Sequence, residues 1–441
     1  MAAVVMEQDV STGSLAPAVK ARMEAFVADV AGVAMSHPVQ RGNAELYVRG
    51  LLAAGERKSL EPLVERLDGD GDYQSLQQFL ADSPWDSGRL MRAVVERVCP
   101  VVRAEAWVLD DTGFPKDGKH SPGVKRQYSG TLGKIGNCQI GVSLHAVSEH
   151  ATLPLGWALY LPEDWCADPE RRRRAKIPED VVFQTKPQLG VGLVMQAAGW
   201  AIDCAPVLGD AAYGENTHLR GELDSNGIEY VLSINPDTTI FAPGAVFAVP
   251  DRKPGRPGRS PAAHHADSDP VSVGAYAKTL TEKDFRTVAF RGTAKTRVSS
   301  RFAFQRITAA HPVTRDRVAP REEWLIIEWP QGHETPSDYW ISNLPAATKP
   351  QRLARLARLR WMIELDYRQL KGELGLDHYE GRSYLGWYHH TGLVTTSHAF
   401  LTLERTDPKA QRRASHSPKR SAYSCPSSTA GPVTATPAND R

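Results

Sequence analysis

The residues from Arg360 to Lys371 set one carboxylate among cations. Read as a helix of 3.6 residues per turn, Arg360, Glu364, Tyr367, Arg368 and Lys371 fall within an arc of roughly 100°. Leu356, Leu359, Ile363 and Leu370 form an apolar stripe beside them. Thr348 is the predicted N-cap, Pro350 suits the first turn, and Gly375 can end the helix. Taken alone, this is equally a solvated salt-bridge face, because Arg360 and Arg368 each stand four residues from Glu364. Two further carboxylates close apolar runs that read as buried strands, in Val108-Leu109-Asp110-Asp111 and Val207-Leu208-Gly209-Asp210. The small Ala211-Ala212 that follows Asp210 lets a substrate approach. Carboxylates gathered from two strand ends and a helix could hold hard divalent cations. A pair of such ions about 3.5–4 Å apart makes water nucleophilic and stabilises a leaving oxygen, which is what cutting a phosphodiester requires.

The run Arg360-Trp361-Met362-Ile363-Glu364, with Lys371 seven residues after the glutamate, resembles the signature of insertion-sequence DDE transposases. Val108 to Lys116, Val207 to Gly214, Gly123 to Gly130 and the Gly-Leu-Asp-His-Tyr-Glu-Gly-Arg-Ser run from Gly375 to Ser383 resemble the same group. The likeness covers residues 20–400 approximately and is greatest to the branch named after insertion sequence seven-oh-one, a relative of the IS-four group. Many IS-four relatives carry a tyrosine three residues before the arginine. Here that position is Ala357, so no DNA contact by that tyrosine carries over.

The resemblance implies a metal site built by Asp110, Asp210 and Glu364, taking Mg2+, with Mn2+ able to substitute, as two ions. Asp110 and Asp111 both follow the first apolar run, and Asp111 remains an alternative first ligand, a neighbour of the ligand or a cap. It also implies recognition of terminal inverted repeats in double-stranded DNA, hydrolytic nicking to expose a 3′-OH, and attack of that 3′-OH on target DNA by a homodimer. A metal-dependent nuclease that cuts without joining and a domesticated, non-catalytic DNA-binding regulator are the alternatives. A carboxylate cluster repels duplex phosphates, so the cleft must be ringed by cations. Candidates for DNA contact are Lys116, Lys119, Arg126, Arg360, Arg368, Lys371 and Arg382, with Trp340 as a surface on which an unpaired base could stack.

At 441 residues, with 41% hydrophobic and 24% charged residues, the chain has the make-up of a globular protein of more than one unit. A net charge of +2 conceals clusters such as Arg171 to Arg174 and Arg352 to Arg360. The five cysteines are widely spaced, with no Cys-x-x-Cys pair, so they are expected to be reduced, in a cytoplasmic, nucleoid-associated protein without a zinc site. No apolar run reaches the ~18 residues of a membrane span.

The expected fold class is α/β, a ribonuclease-H-like mixed sheet flanked by helices, with an N-terminal helical domain and a β-rich insertion. The predicted divisions are a disordered start at 1–18, a helical DNA-binding domain at 19–100, the first catalytic part at 101–235, the β-rich insertion at 236–345, the second catalytic part with the Glu364 helix at 346–404, and a disordered basic tail at 405–441. Arg41, Arg49, Arg57, Lys58 and Arg66 could form a DNA-facing surface or be merely solvated. The Pro/Gly/Arg segment Arg252 to Arg259 reads as a flexible basic loop.

Overall fold

A computed structural model describes residues 15–249, 264–291, 297–310 and 320–406; the loop at Arg252 to Arg259, Cys425 and all of the predicted tail but its first two residues, which are helical, lie outside them. Apolar residues spaced three and four apart give five helices, α1 (Pro17–Ala34), α2 (Pro38–Leu52), α3 (Leu60–Glu65), α4 (Tyr73–Ala81) and α5 (Ser87–Val102). Asp72 and Asp86 cap α4 and α5 with side-chain oxygens. The start of α1 at Pro17 and the burial of Leu15 put ordered chain inside the stretch predicted to be loose.

The period then changes to that of strands: β1 (Ala106–Pro115), β2 (Lys125–Ser129), β3 (Lys134–Val147) and β4 (Thr152–Tyr160). Helices α6 (Glu163–Cys166), α7 (Pro169–Arg174) and α8 (Lys186–Ala198) lead to β5 (Val207–Gly209). After it come α9 (Ala211–Gly214), α10 (Thr217–Ser225) and β6 (Tyr230–Ile234). β1, β5 and β6 run parallel, while β3 is antiparallel to β1 and to β4. The path β4-β3-β1-β5-β6 is the ribonuclease-H-like order expected from the sequence, with Asp110 on β1 and Asp210 directly after the adjacent, parallel β5.

The predicted β-rich insertion extends that same sheet. Its elements are β7 (Thr239–Phe241), β8 (Phe247–Ala248), β9 (His265–Ala266), β10 (Val271–Ser272), α11 (Val273–Ala277), β11 (Arg286–Arg291), β12 (Arg297–Ala309), β13 (Glu323–Trp329) and β14 (Asp338–Ser342). β14 pairs with β6, and β13 and β12 follow, so among the described residues twelve strands form one sheet, with β8 and β9 paired apart from it. Trp340 is consequently a core residue, 7% exposed, with no face free for a base in this structure.

The helix predicted from Thr348 to Gly375 is two helices, α12 (Pro350–Leu359) and α13 (Met362–Gly372). Pro350 fixes the preceding Lys349 in an extended conformation, so Lys349 occupies the N-cap and Thr348 lies one residue outside. At Arg360-Trp361 the hydrogen bonds tighten, Ile363 N–H to Arg360 O at 3.1 Å and Glu364 N–H to Trp361 O at 3.2 Å. Leu353 and Leu356 of α12 fill the core on one face of the sheet, whereas Leu370 of α13 belongs to the larger core on the other side. Gly375 closes α13 as predicted, at φ 66°, where a Cβ would meet Lys58 Cβ at 2.3 Å.

The final helix, α14 (Tyr384–Thr406), is buried between the N-terminal helices and β4, so the five helices share one core with the sheet. Gly214, at the end of α9, lies directly against β6: a Cβ there would sit 1.8 Å from the Ser233 carbonyl oxygen. Backbone cannot yield as a side chain does, so Gly214→Ala is expected to destabilise the protein by about 3 kcal/mol. A fall in the urea midpoint checks it; an unchanged midpoint contradicts this packing.

Candidate active site

β1 does not end at Asp110; it continues to Pro115, paired with β3 throughout. What ends there is the parallel pairing, because β5 reaches only Gly209 and matches β1 at Trp107 and Val108. Asp110 therefore stands just past the last parallel pair, and Asp210 follows β5 directly, with Oδ1 accepting from Ala212 N–H at 3.0 Å as the cap of α9.

Alternation along β1 separates Asp110 from Asp111. Val108 belongs to the core beneath α12, on the same side as Asp110. Leu109 packs against Gly190 of α8, and Asp111 on that side pairs with Lys186 Nζ of α8 at 2.9 Å. Asp110 Oδ2 accepts from the Arg360 guanidinium at 3.0 Å, and Oδ1 from the Asp111 N–H at 2.8 Å. Burial pushes the Asp110 carboxyl up to about 7; Arg360 opposes the rise, and the charges of Asp210 and Asp111 add to it.

Two tyrosines close on this cluster. Tyr213 is 1% exposed, its hydroxyl has no hydrogen-bond partner, and burial followed by Asp111, Asp110, Tyr367 and Asp210 holds it protonated. Tyr367, on α13, likewise feels Asp110 most strongly after burial, and its hydroxyl meets Ser143 Oγ at 2.6 Å. Behind Ser143 runs a buried chain. Ser143 Oγ lies 2.9 Å from His145 Nε2, His145 Nδ1 lies 2.5 Å from Asp366 Oδ2, and His398 Nε2 lies 2.8 Å from Asp366 Oδ1.

Glu364 is exposed in the first turn of α13, between Arg360 and Tyr367, which both reach toward Asp110. Among the described residues no three His, Cys, Asp or Glu side chains are grouped to hold one ion. Asp110 and Asp210 do fit a hard cation by donor type: two carboxylates just past the parallel pairing of β1 and β5, with the proton affinity of Asp110 raised by burial and then by Asp210.

Of the cations predicted to contact DNA, Arg360 is engaged with Asp110. Lys371 donates to Gly113 O at 2.7 Å and to Thr131 Oγ1 at 3.0 Å. Lys116 donates to Tyr379 O. Burial lowers both lysines to about 8. Lys119, Arg126, Arg368 and Arg382 are exposed. An open cavity of about 640 Å³ is lined by Arg57, Lys116, His120, Asp377, His378 and Arg382 among others, and none of the three candidate carboxylates lines it.

Much of the remaining cationic clustering serves the fold. Arg352 pairs with Glu229, Arg355 with Glu105 and Glu149, and Arg358 with the buried Glu328. Arg49 pairs with Asp70, Arg57 with Glu380, and Lys58 donates to Ala53 O. Sequence reasoning missed Lys186, Tyr213 and the Ser143-His145 chain. Of these only Tyr213, three residues after Asp210, lay inside a motif, the run from Val207 to Gly214.

The family model described as DDE superfamily endonuclease matches residues 33–297, and the one described as Transposase DDE domain matches 203–399. A curated protein of Microchaete diplosiphon, the probable transposase for insertion sequence element IS701, is 29% identical over 188 residues. That match spans 42% of this chain and 46% of the relative. With more than half of its length matched by a single family model, and with two aspartates just past the parallel pairing of β1 and β5 in a ribonuclease-H-like sheet, the chain belongs to the DDE superfamily of endonucleases and transposases.

Proposed function

We propose that this protein is an insertion-sequence transposase that cuts double-stranded DNA at the inverted repeats of its element and joins the 3′-OH to target DNA. The observation that carries the reading is that the half-buried Asp110 and Asp210 both stand just past the parallel pairing of β1 with β5, beside Arg360. Asp110 and Asp210 would hold the metal, Mg2+ or Mn2+, with Glu364 as third ligand from the turn between Arg360 and Tyr367; Asp111, turned toward Lys186, is the weaker candidate. Two such ions, when bound, supply activation of the attacking oxygen and neutralisation of the leaving one.

The chain's own residues do the rest. Arg360 neutralises Asp110 in the absence of DNA and is free to turn to a phosphate when a stronger cation takes that carboxylate. Burial lowers the pKa of Lys371 and Lys116, and a phosphate arriving beside them would raise it again and be held in return. Arg126, Lys119, Arg368 and Arg382 extend the cationic surface along the duplex. Tyr213 keeps its buried, unpartnered O–H beside the carboxylates of Asp110, Asp111 and Asp210 and closes the site from below. In the first step water adds to phosphorus and the bond to the 3′ oxygen breaks, leaving a 3′-OH and a 5′-phosphate. In the second, that 3′-OH adds to a target phosphate and displaces a target 3′ oxygen. The protein is expected to work as a homodimer on paired element ends.

The test is strand transfer, with pre-cleaved duplexes made from the DNA that borders this coding region and a supercoiled plasmid as target. Joined product that needs Mg2+ or Mn2+ and disappears with Asp210→Asn is expected. Cleavage of uncut ends without joining would make the protein a nuclease instead.

A further inference from the structure

β2 and the first residues of β3 form a hairpin at one end of the sheet. Across it Tyr128 stands directly opposite Ile135, and the two are 65% and 60% exposed. Alternation gives the hairpin two faces. Gln127 and the buried Ser129 lie on the inner one, where Ser129 closes so tightly on β1 that a Cβ on Gly113 would sit 2.0 Å from its Oγ. Arg126, Tyr128, Ile135 and Asn137 lie on the outer one, and Asn137 donates to Lys116 O at 2.5 Å and Gly118 O at 2.9 Å.

The tip is fixed to the candidate active site. Thr131 Oγ1 accepts from Gly113 N–H at 3.2 Å and from Lys371 Nζ at 3.0 Å, so the hairpin is tied both to the strand of Asp110 and to the signature lysine. Between Asp117 and Glu149 the chain has no acidic residue, but it has Lys119, Lys125, Arg126 and Lys134. Lys125 is engaged with Asp164. An exposed aromatic and an exposed aliphatic side chain in direct register gain nothing for the fold by facing water. Set in a purely cationic ribbon beside a phosphodiester-cutting site, they match DNA: a two-stranded ribbon enters a groove, an aromatic ring stacks on a base, and an aliphatic chain wedges at a base step.

We propose that the outer face of the β2–β3 hairpin docks on the DNA being cut, with Tyr128 and Ile135 packed against bases or sugars and with Arg126 on a phosphate. The inference rests on the DNA-cutting reading above and adds to it a contact that is not ionic.

The test uses the full chain and a fluorescein-labelled duplex of the DNA bordering the coding region, followed by anisotropy over a range of salt concentrations. Tyr128→Ala/Ile135→Ala should weaken binding about tenfold or more and leave the slope of log K against log salt unchanged. Arg126→Ala should weaken binding and lower that slope by about one, for the one phosphate no longer neutralised. Unchanged affinity of the apolar double variant overturns the proposal. So does loss of a dimer in light scattering with DNA affinity intact, which would make the pair an interface between two copies of the chain. A wild-type protein that fails to bind the duplex overturns the DNA reading itself, and the hairpin proposal with it.

Discussion

Asp110→Asn and Asp210→Asn are each expected to reduce excision of a marked element from a plasmid by about a thousandfold or more, an increase in barrier of about 4 kcal/mol. The two carboxylates both stand just past the parallel pairing of β1 and β5, and an amide there keeps the shape while removing the charge. Asp111→Asn should cost far less, within about tenfold, because the Asp111 side chain turns to Lys186 of α8. Asp110→Asn should also stabilise the metal-free protein at neutral pH. An acid whose folded pKa is raised loses stability as pH climbs from its unfolded value toward about 7, and the deficit stays constant above that. Removing the charge recovers it, offset by the lost Arg360 pair, for a net gain of about 1–2 kcal/mol. Calorimetry of the two proteins in EDTA measures that gain, and excision assays the loss of activity. A variant that is both active and less stable contradicts the arrangement.

Asp366→Asn is expected to be among the most damaging single changes to stability, at about 3–5 kcal/mol. Asp366 is wholly buried and accepts from Thr152 Oγ1 at 2.7 Å while facing His145 and His398. Burial alone would raise its pKa, yet the two histidines together hold it below the usual carboxylate range. A depressed carboxylate contributes stability that is present above its unfolded pKa, near 3.8, and is lost as pH falls toward the folded value. Wild type should therefore lose stability below pH ~4 through this group, and the variant should lack that acid limb. Urea midpoints across the acid range measure both. A loss below about 1 kcal/mol would show that the histidines do not depend on the charge.

The parts of this molecule that were legible in the sequence are those where a local pattern decides the outcome. Apolar runs ending in Asp110 and Asp210, and helical spacing around Glu364, gave the parallel strands and the final helices because burial of a strand or a helix stripe is written in period 2 or 3.6. The break at Arg360-Trp361 was not legible, since neither residue disfavours a helix. Past it, Met362 and Ile363 still share the core of α12, whereas Leu370 at the far end of α13 packs in the larger core across the sheet. The continuation of β1 past Asp110 depends on β3 across the sheet, and the burial of Trp340 on β6 and β13, neighbours distant in sequence. The Lys186 pair with Asp111 and the His145 and His398 contacts of Asp366 join residues from separate elements, so no spacing announces them. β2 is short and mostly exposed, with an irregular pattern that resembles a loop.

The central claim is that Asp110, Asp210 and Glu364 serve one cation site. Electron paramagnetic resonance of Mn2+ titrated into the full chain with its end duplex tests it most directly. Two ions per chain are predicted for the wild type, with binding lost or halved in Asp110→Asn, Asp210→Asn and Glu364→Gln and retained in Asp111→Asn. Equal Mn2+ binding by the wild type and all three variants would contradict the account.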